Sequence, residues 1–434
     1  MTELSGNTRP LVSFVVIAHN VETYIERCLH SALEQVGASF EVIVVDDAST
    51  DATPDLIEAA AVDDGRIRFV KRSQNGGAHL ARKTGVLQSV GQFVYFVDGD
   101  DEVTPHFLEL VVGLVGHRRA EMYRLGCRVV AQGSEDESAR ILVDSALNGA
   151  TGTVMGDEIL FRSFGEMGVK REPWRMVSCL YEGEFCRAAF AAMTTARVGY
   201  MEDAYEFFVL ASRATVLENA SECVGQIYNL GAGRSGFGFM ELGAFIARQR
   251  EVHALVHEVS VFADGEGRDI LRRCADWFEQ ECMTTLSNEW AVRLRSSDQV
   301  AAVSSLVETW GNTSTCAMLA SPLMGRAAWV LQDDERLDDA LLHAWRAEWD
   351  RVAEGIALPE ECDTPGLAAM FAQLDARTAA RAVARRASEE REAELARAAE
   401  VRARRWYMRI INLLLPYGSK SRRALAAACR ELRR

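Results

Sequence analysis

Apolar and polar positions come in alternating blocks along the first hundred or so residues. Residues 11–18 (LVSFVVIA) form a nearly continuous apolar, β-branched run, which predicts a strand buried on both faces. A helical pattern over 21–35 leads to a second such run at 40–45. The alternation continues with a helix over 52–62, a strand at 67–71, a helix over 78–90 and a strand at 93–97. This predicts an α/β fold with an open, mostly parallel, Rossmann-like sheet and helices on both faces. Ligands of such sheets bind at the carboxyl ends of the strands.

Further along, a helix is expected over 105–115 and a strand-like segment over 120–130, followed by a mixed region to about 236. Residues 241–354 read mainly as amphipathic helix, with Trp277, Trp290, Trp310 and Trp329 as candidate core. From 376 the chain is rich in Ala, Arg and Glu and almost free of Gly and Pro until Pro416, which predicts a long exposed helix. The expected organisation is a catalytic domain over 1–236, a mainly helical domain over 237–375 and a basic amphipathic tail over 376–434.

The formal net charge of −15 argues against nucleic acid as a partner. That average conceals an asymmetry: from Arg377 onward there are sixteen Lys or Arg against six Glu, so this end carries +10 and the rest −25. Ten scattered cysteines without a CxxC pair read as reduced core residues of a cytosolic protein. The first residues lack the pattern of a secretory signal, and no apolar run approaches the roughly 20 residues of a membrane span. The expectation is a cytoplasmic protein, with peripheral attachment to the inner face of the cell membrane as an extension of it.

Candidate chemistry sits where strands end. The run at 40–45 leads directly into Asp46, Asp47 and Asp51, and the run at 93–97 into Asp98, Asp100, Asp101 and Glu102. Crowded carboxylates raise one another's pKa unless a cation offsets them, and a hard divalent ion does so while leaving sites for phosphate oxygens. Gly99 is expected to let the backbone turn sharply there. Each cluster taken alone could equally be a solvated turn capping the next helix. His19, His79 and His106 lie nearby without metal-ligand spacing and are expected to pack or face solvent.

The segments VSFVVIAHN, FEVIVVDDASTD, NGGAHLARKTG and FVYFVDGDDEVTP, in this order, resemble the successive motifs of the family 2 glycosyltransferases, over roughly residues 10–236. The resemblance implies the GT-A nucleotide-sugar-binding fold and an inverting hexosyltransferase of the bacterial surface-glycan type. It implies that Ala18, His19 and Asn20 line a nucleotide pocket and that Asp46 or, by preference, Asp47 bonds the base. Gly77, Arg82 and Lys83 would lie near the nucleotide phosphates. Asp98 would face ribose or metal, and Asp100 would be the main ligand of Mn²⁺ or Mg²⁺. Glu202 and Asp203 resemble the family's Glu-Asp motif, with Asp203 as general base. Separately from the resemblance, the Gly-rich stretch 228–236 carries Arg234, which could close over the diphosphate or belong to an ordinary surface loop.

The implied partners are a nucleotide diphosphate sugar, with UDP as the first choice of base, and a saccharide or lipid-linked acceptor. Arg402, Arg404, Arg405, Trp406, Tyr407 and Arg409 precede a short apolar run, a pattern suited to an anionic membrane surface. The same helix could instead join copies of the chain as a homo-oligomer. Competing readings are a non-catalytic nucleotide-sugar-binding scaffold and a sugar-phosphate nucleotidyltransferase.

Overall fold

The structure is a computed structural model that describes residues 9–117, 119–131, 137–165, 172–232, 238–358, 362, 364–414 and 417–431. The expected alternation is present as β1 (Val12–Ala18), α1 (Ile25–Leu33), β2 (Phe40–Asp46), α2 (Thr53–Asp63), β3 (Ile67–Lys71), α3 (Gly77–Gln88) and β4 (Phe93–Asp98). These four strands pair in parallel in the order β3-β2-β1-β4. Their continuous apolar character follows from burial on both faces. Val12, Phe14, Val16, Val42, Val44, Tyr95 and Val97 pack on one face against Ile25 and Leu29 of α1, and Ile43 and Val45 pack on the other against Ala81 of α3.

The second half of the sheet is mixed and less legible in the sequence. It is built from β5 (Glu102–Val103), α4 (Phe107–His117), β6 (Met122–Ala131), α5 (Glu137–Asn148), β7 (Gly152–Met155), α6 (Asp157–Phe164), β8 (Cys179–Glu182), α7 (Gly183–Ala192), α8 (Glu202–Arg213) and β9 (Val216–Leu230). Strand β8 inserts antiparallel between β4 and β6. Strand β9 runs parallel to β6 and antiparallel to β5 and β7, completing a nine-stranded sheet.

Helices α9 (Leu242–Glu266), α10 (Asp269–Arg293), α11 (Ser296–Val330), α12 (Ala340–Ala353), α13 (Thr364–Leu414) and α14 (Lys420–Glu431) follow. The chain divides into two compact units, residues 1–319 with 351–357, and residues 320–350 with 358–434. The break expected at 236 therefore falls inside the first unit. Helices α9 and α10 pack on the sheet's own helices, with Phe164 of α6 against Phe278 at 5.5 Å and Phe208 of α8 against Phe262 at 6.3 Å.

Within the second unit, Arg346 pairs with Asp375 and lies 4.5 Å from the centre of the Phe371 ring. Helix α13 starts twelve residues before the expected tail, because Leu367, Phe371 and Leu374 are buried. Beyond them every side chain from 379 to 409 is exposed. Trp329, expected in the core, is 43% exposed and is covered instead by Arg336, 4.3 Å from its ring centre. Among the described residues no helix is long and apolar enough to cross a membrane.

Candidate active site

Sheet register brings the strand ends together: Ala18 pairs with Asp46 across β1 and β2, and Ile17 with Asp98 across β1 and β4. The loops after β1 and β2 are joined by hydrogen bonds. The Asn20 N–H donates to Ser49 Oγ (2.9 Å), the Thr50 N–H to Asn20 Oδ1 (2.8 Å) and the Val21 N–H to Thr53 Oγ1 (2.9 Å). Asn20 and Ala48 both take positive φ, 55° and 59°, a conformation that costs an alanine free energy. His19 is half-buried and its ring lies 3.3 Å from Asn20 Nδ2.

Both aspartates after β2 are buried. Asp46 accepts from the Ser49 N–H (3.2 Å). The Asp47 carboxylate accepts from the N–H groups of Gly76 (3.0 Å) and Gly77 (2.7 Å) and pairs with Arg72. In the structure Asp47 thus fixes the start of α3, where Gly77 has φ +81°, a left-handed conformation natural to glycine.

The acidic cluster after β4 contains one member more than the expected ligand pair. Asp98, Asp100 and Asp101 place a carboxylate oxygen each within 4.8 Å of one another. Burial and the Asp98 charge push Asp100 up to about 6, and burial raises Asp101 as well, reinforced by Asp98 and Asp100. Asp101 has both oxygens engaged, accepting from Gln226 Nε2 (2.7 Å) and the Asn229 N–H (2.8 Å), while Asn229 Nδ2 donates to the Asp100 carbonyl (2.9 Å). Strand β9 therefore fastens the acidic turn, leaving Asp98 and Asp100 as the pair fitted to hold a hard cation. Gly99 lies in the turn that the Asp101 N–H closes on the Asp98 carbonyl (2.9 Å), as expected, but glycine is needed there for space rather than for a left-handed φ: a Cβ would lie 3.0 Å from the Ile17 carbonyl and 3.1 Å from Val21.

Arg82 of α3 lies apart from the phosphate role that the resemblance implies. It is buried, and its guanidinium donates to Asp98 Oδ1 (3.1 Å), Glu202 Oε1 (3.2 Å) and Glu206 Oε2 (3.0 Å). Burial opposes its charge, yet Glu206, Asp98 and Glu202 hold its pKa well above the ordinary value. Lys83, one position on and so about 100° around the helix, points away: its ammonium donates to the carbonyls of Met193 (2.5 Å) and Thr194 (3.3 Å).

Helix α8 opens with the expected acidic pair, after Met201 in the left-handed region (φ 55°). Asp203 is pushed up to about 8, by burial first and by the adjacent Glu202 charge second, with Arg82 opposing. Glu202 is raised by burial, again opposed by Arg82. Glu206 and His79 were not among the expected site residues. Glu206 was visible only as a carboxylate four residues after Glu202, on the same helix face. Arg234 lies outside the described residues.

Residues 13–173 match the family model described as Glycosyl transferase family 2. This segment is a family 2 glycosyltransferase domain. Relatives match over stretches of about a hundred residues: the succinoglycan biosynthesis protein ExoO of Rhizobium meliloti is 42% identical over 103 residues, 24% of this chain and 29% of its own length. Glycosyltransferase GlyG of Streptococcus pneumoniae is 31% identical over 112 residues, 26% of this chain and 37% of its own length. The chain thus spans about a third of the length of these curated relatives. The chain also resembles TarS 1-349 of S. aureus, solved in complex with UDP-GlcNAc, at a TM-score of 0.51 and 17% identity, covering 79% of this chain and 88% of that one. The sheet is the GT-A fold.

Proposed function

We propose that this chain is an inverting glycosyltransferase that moves a sugar from a nucleotide diphosphate sugar to a surface-glycan or lipid-linked saccharide acceptor. The observation that carries this reading is Arg82, whose single guanidinium ties Asp98, at the end of β4, to Glu202, the neighbour of Asp203. A donor-side carboxylate and the neighbour of the candidate base are thereby held in one network.

In this reading Asp98 and Asp100 would hold a divalent cation, Mn²⁺ or Mg²⁺, and such an ion would supply positive charge beside the diphosphate. The Asp203 carboxylate accepts the proton of the acceptor hydroxyl as that oxygen attacks the anomeric carbon, and the sugar–diphosphate bond breaks with its electron pair going to the nucleotide. A carboxyl held near 8 is a stronger base, once ionised, than one of ordinary pKa. Ala18, His19, Asn20, Asp46 and Asp47 form the nucleotide side, and Gly77 and Arg82 act by shaping it. The acceptor class follows the biosynthetic role printed for ExoO, and UDP-GlcNAc, bound to TarS, is the first donor to try.

The test is release of nucleoside diphosphate from UDP-, GDP- and dTDP-sugars with Mn²⁺, in wild type, Asp100→Ala and Asp203→Asn. Metal-dependent release with one donor, lost in both variants, is expected. Donor binding without release, even with lipid-linked acceptors supplied, would replace this reading with that of a sugar-nucleotide-binding module.

The C-terminal segment carries a second part of the proposal, contact with an anionic membrane surface. Residues 402–431 hold eight Lys or Arg against one Glu. Trp406 and Tyr407 are 65% and 59% exposed, the interfacial aromatics that such a contact uses.

A further inference from the structure

Glu206 of α8 and His79 of α3 are fully buried, and neither has a place in the reaction described so far. Glu206 lies one turn beyond Glu202. Its Oε1 is 2.9 Å from His79 Nδ1, and its Oε2 accepts from Arg82 Nη1 at 3.0 Å. The other ring nitrogen of His79, Nε2, is 3.1 Å from the Thr194 carbonyl oxygen. The ring is therefore fixed at both ends, and it is also held between Phe190, stacked at 6.5 Å, and Tyr205, edge-on at 5.4 Å.

A guanidinium at the end of a long side chain has several rotamers, and its direction is set by what it bonds. Of the three carboxylates around Arg82, Glu206 is the one with no exposure, whereas the side chains of Asp98 and Glu202 are 30% and 20% exposed. The inner contact is the fixed one, and the outer two inherit their positions from it. Carboxylates this close would repel one another and turn apart without the guanidinium between them.

We infer that His79 and Glu206 are positioning residues, which aim Arg82 so that Asp98 and Glu202 are held in register across the gap between β4 and α8. This rests on the glycosyl-transfer reading, in which Asp98 belongs to the donor side and Glu202 stands beside the base. Neither residue touches substrate. Each acts through Arg82, so their removal disturbs the alignment of donor and base more than the binding of the nucleotide.

The experiment compares full-length wild type, Glu206→Gln, His79→Gln and the double variant. Turnover of the donor that wild type uses is measured alongside Mn²⁺ affinity by electron paramagnetic resonance. Loss of an outer partner of a site residue costs about 10–100-fold. A kcat loss in that range is expected in Glu206→Gln, with the donor KM changed less than about threefold, Mn²⁺ binding weakened about tenfold, and a double variant no worse than Glu206→Gln. Should Glu206→Gln not fold, His79→Gln carries the same measurements, since it keeps the Glu206–Arg82 bond.

A folded variant with kcat and Mn²⁺ affinity within about twofold of wild type, or losses that multiply in the double variant, would overturn the inference. An inactive wild type that still binds Mn²⁺ would count against the proposed reaction alone, and the Mn²⁺ comparison would still decide the positioning role.

Discussion

Asp203 makes the sharpest claim at the scale of single residues. Its ionised form is the one that accepts a proton, and with a pKa near 8 that form is a minority at neutral pH. Turnover should therefore climb about tenfold per pH unit below 8 and level off above it, and a profile already flat from pH 6 would remove Asp203 from the role of base. Stability has the opposite sign. The folded state holds this proton more tightly than the unfolded chain, whose aspartate titrates near 3.8, so the contribution is complete below about 4 and is lost as pH rises through 8. The melting temperature in chelator should fall over that window, and the fall should be shallower in Asp203→Asn, the remainder coming from Asp100, Asp101 and Glu202, which are raised in the same sense. Gly77 gives a purely structural case. At φ +81°, with the Val198 carbonyl 3.2 Å from where a Cβ would sit, Gly77→Ala should cost about 1–2 kcal/mol of stability in a denaturant titration. The residues that local pattern alone made visible were those at a strand end, where an apolar run announces the position, whereas Glu202 and Asp203 at the start of α8 were reached only through the family resemblance. Asp101 was visible as a carboxylate, but its engagement was not, because its partners Gln226 and Asn229 come more than a hundred residues later.

Among elements, the parallel half of the sheet was readable because burial on both faces leaves continuous apolar runs, as in β1 and β2. In the mixed half only α4 and β6 were, near the expected 105–115 and 120–130. Strand β8 has only four residues, and β9 carries polar positions such as Glu218, Asn219 and Gln226 along a fifteen-residue strand, which obscures any period. That polar character has a function in the site, since β9 presents Gln226 and Asn229 to the acidic turn. Gln226 bonds at both ends, its Nε2 to Asp101 and its Oε1 to the Ser178 N–H at 2.7 Å. Gln226→Leu should therefore leave a buried carboxylate oxygen and a buried N–H short of partners, costing about 2–4 kcal/mol and weakening Mn²⁺ binding. Calorimetric melting together with a metal titration would check this, and an unchanged Mn²⁺ affinity would disconnect β9 from the cation site.

The whole molecule combines an acidic body with a basic end, and the charge asymmetry in the sequence announced this. The extent of the body was not announced: α9 and α10 pack on α6 and α8 through aromatic contacts that no boundary signal marks. If the basic end seeks anionic lipid, a chain truncated after 401 should lose cosedimentation with phosphatidylglycerol vesicles at about 0.1 M salt, and the full chain should lose it as salt screens the contact. Binding that survives truncation would assign the segment to self-association, read by the mass of the full chain in sedimentation.

Helix α13 has 51 residues, which at 1.5 Å per residue gives a rod of about 76 Å. A rod of this length would set both the reach and the heading of whatever lies beyond it. Removing seven residues from its exposed stretch at 379–409 would shorten it by about 10 Å and leave its faces almost in phase, whereas removing five would turn everything beyond by about 140°. Reach and heading can thus be varied separately, and an acceptor set at a fixed height would respond to one and not the other.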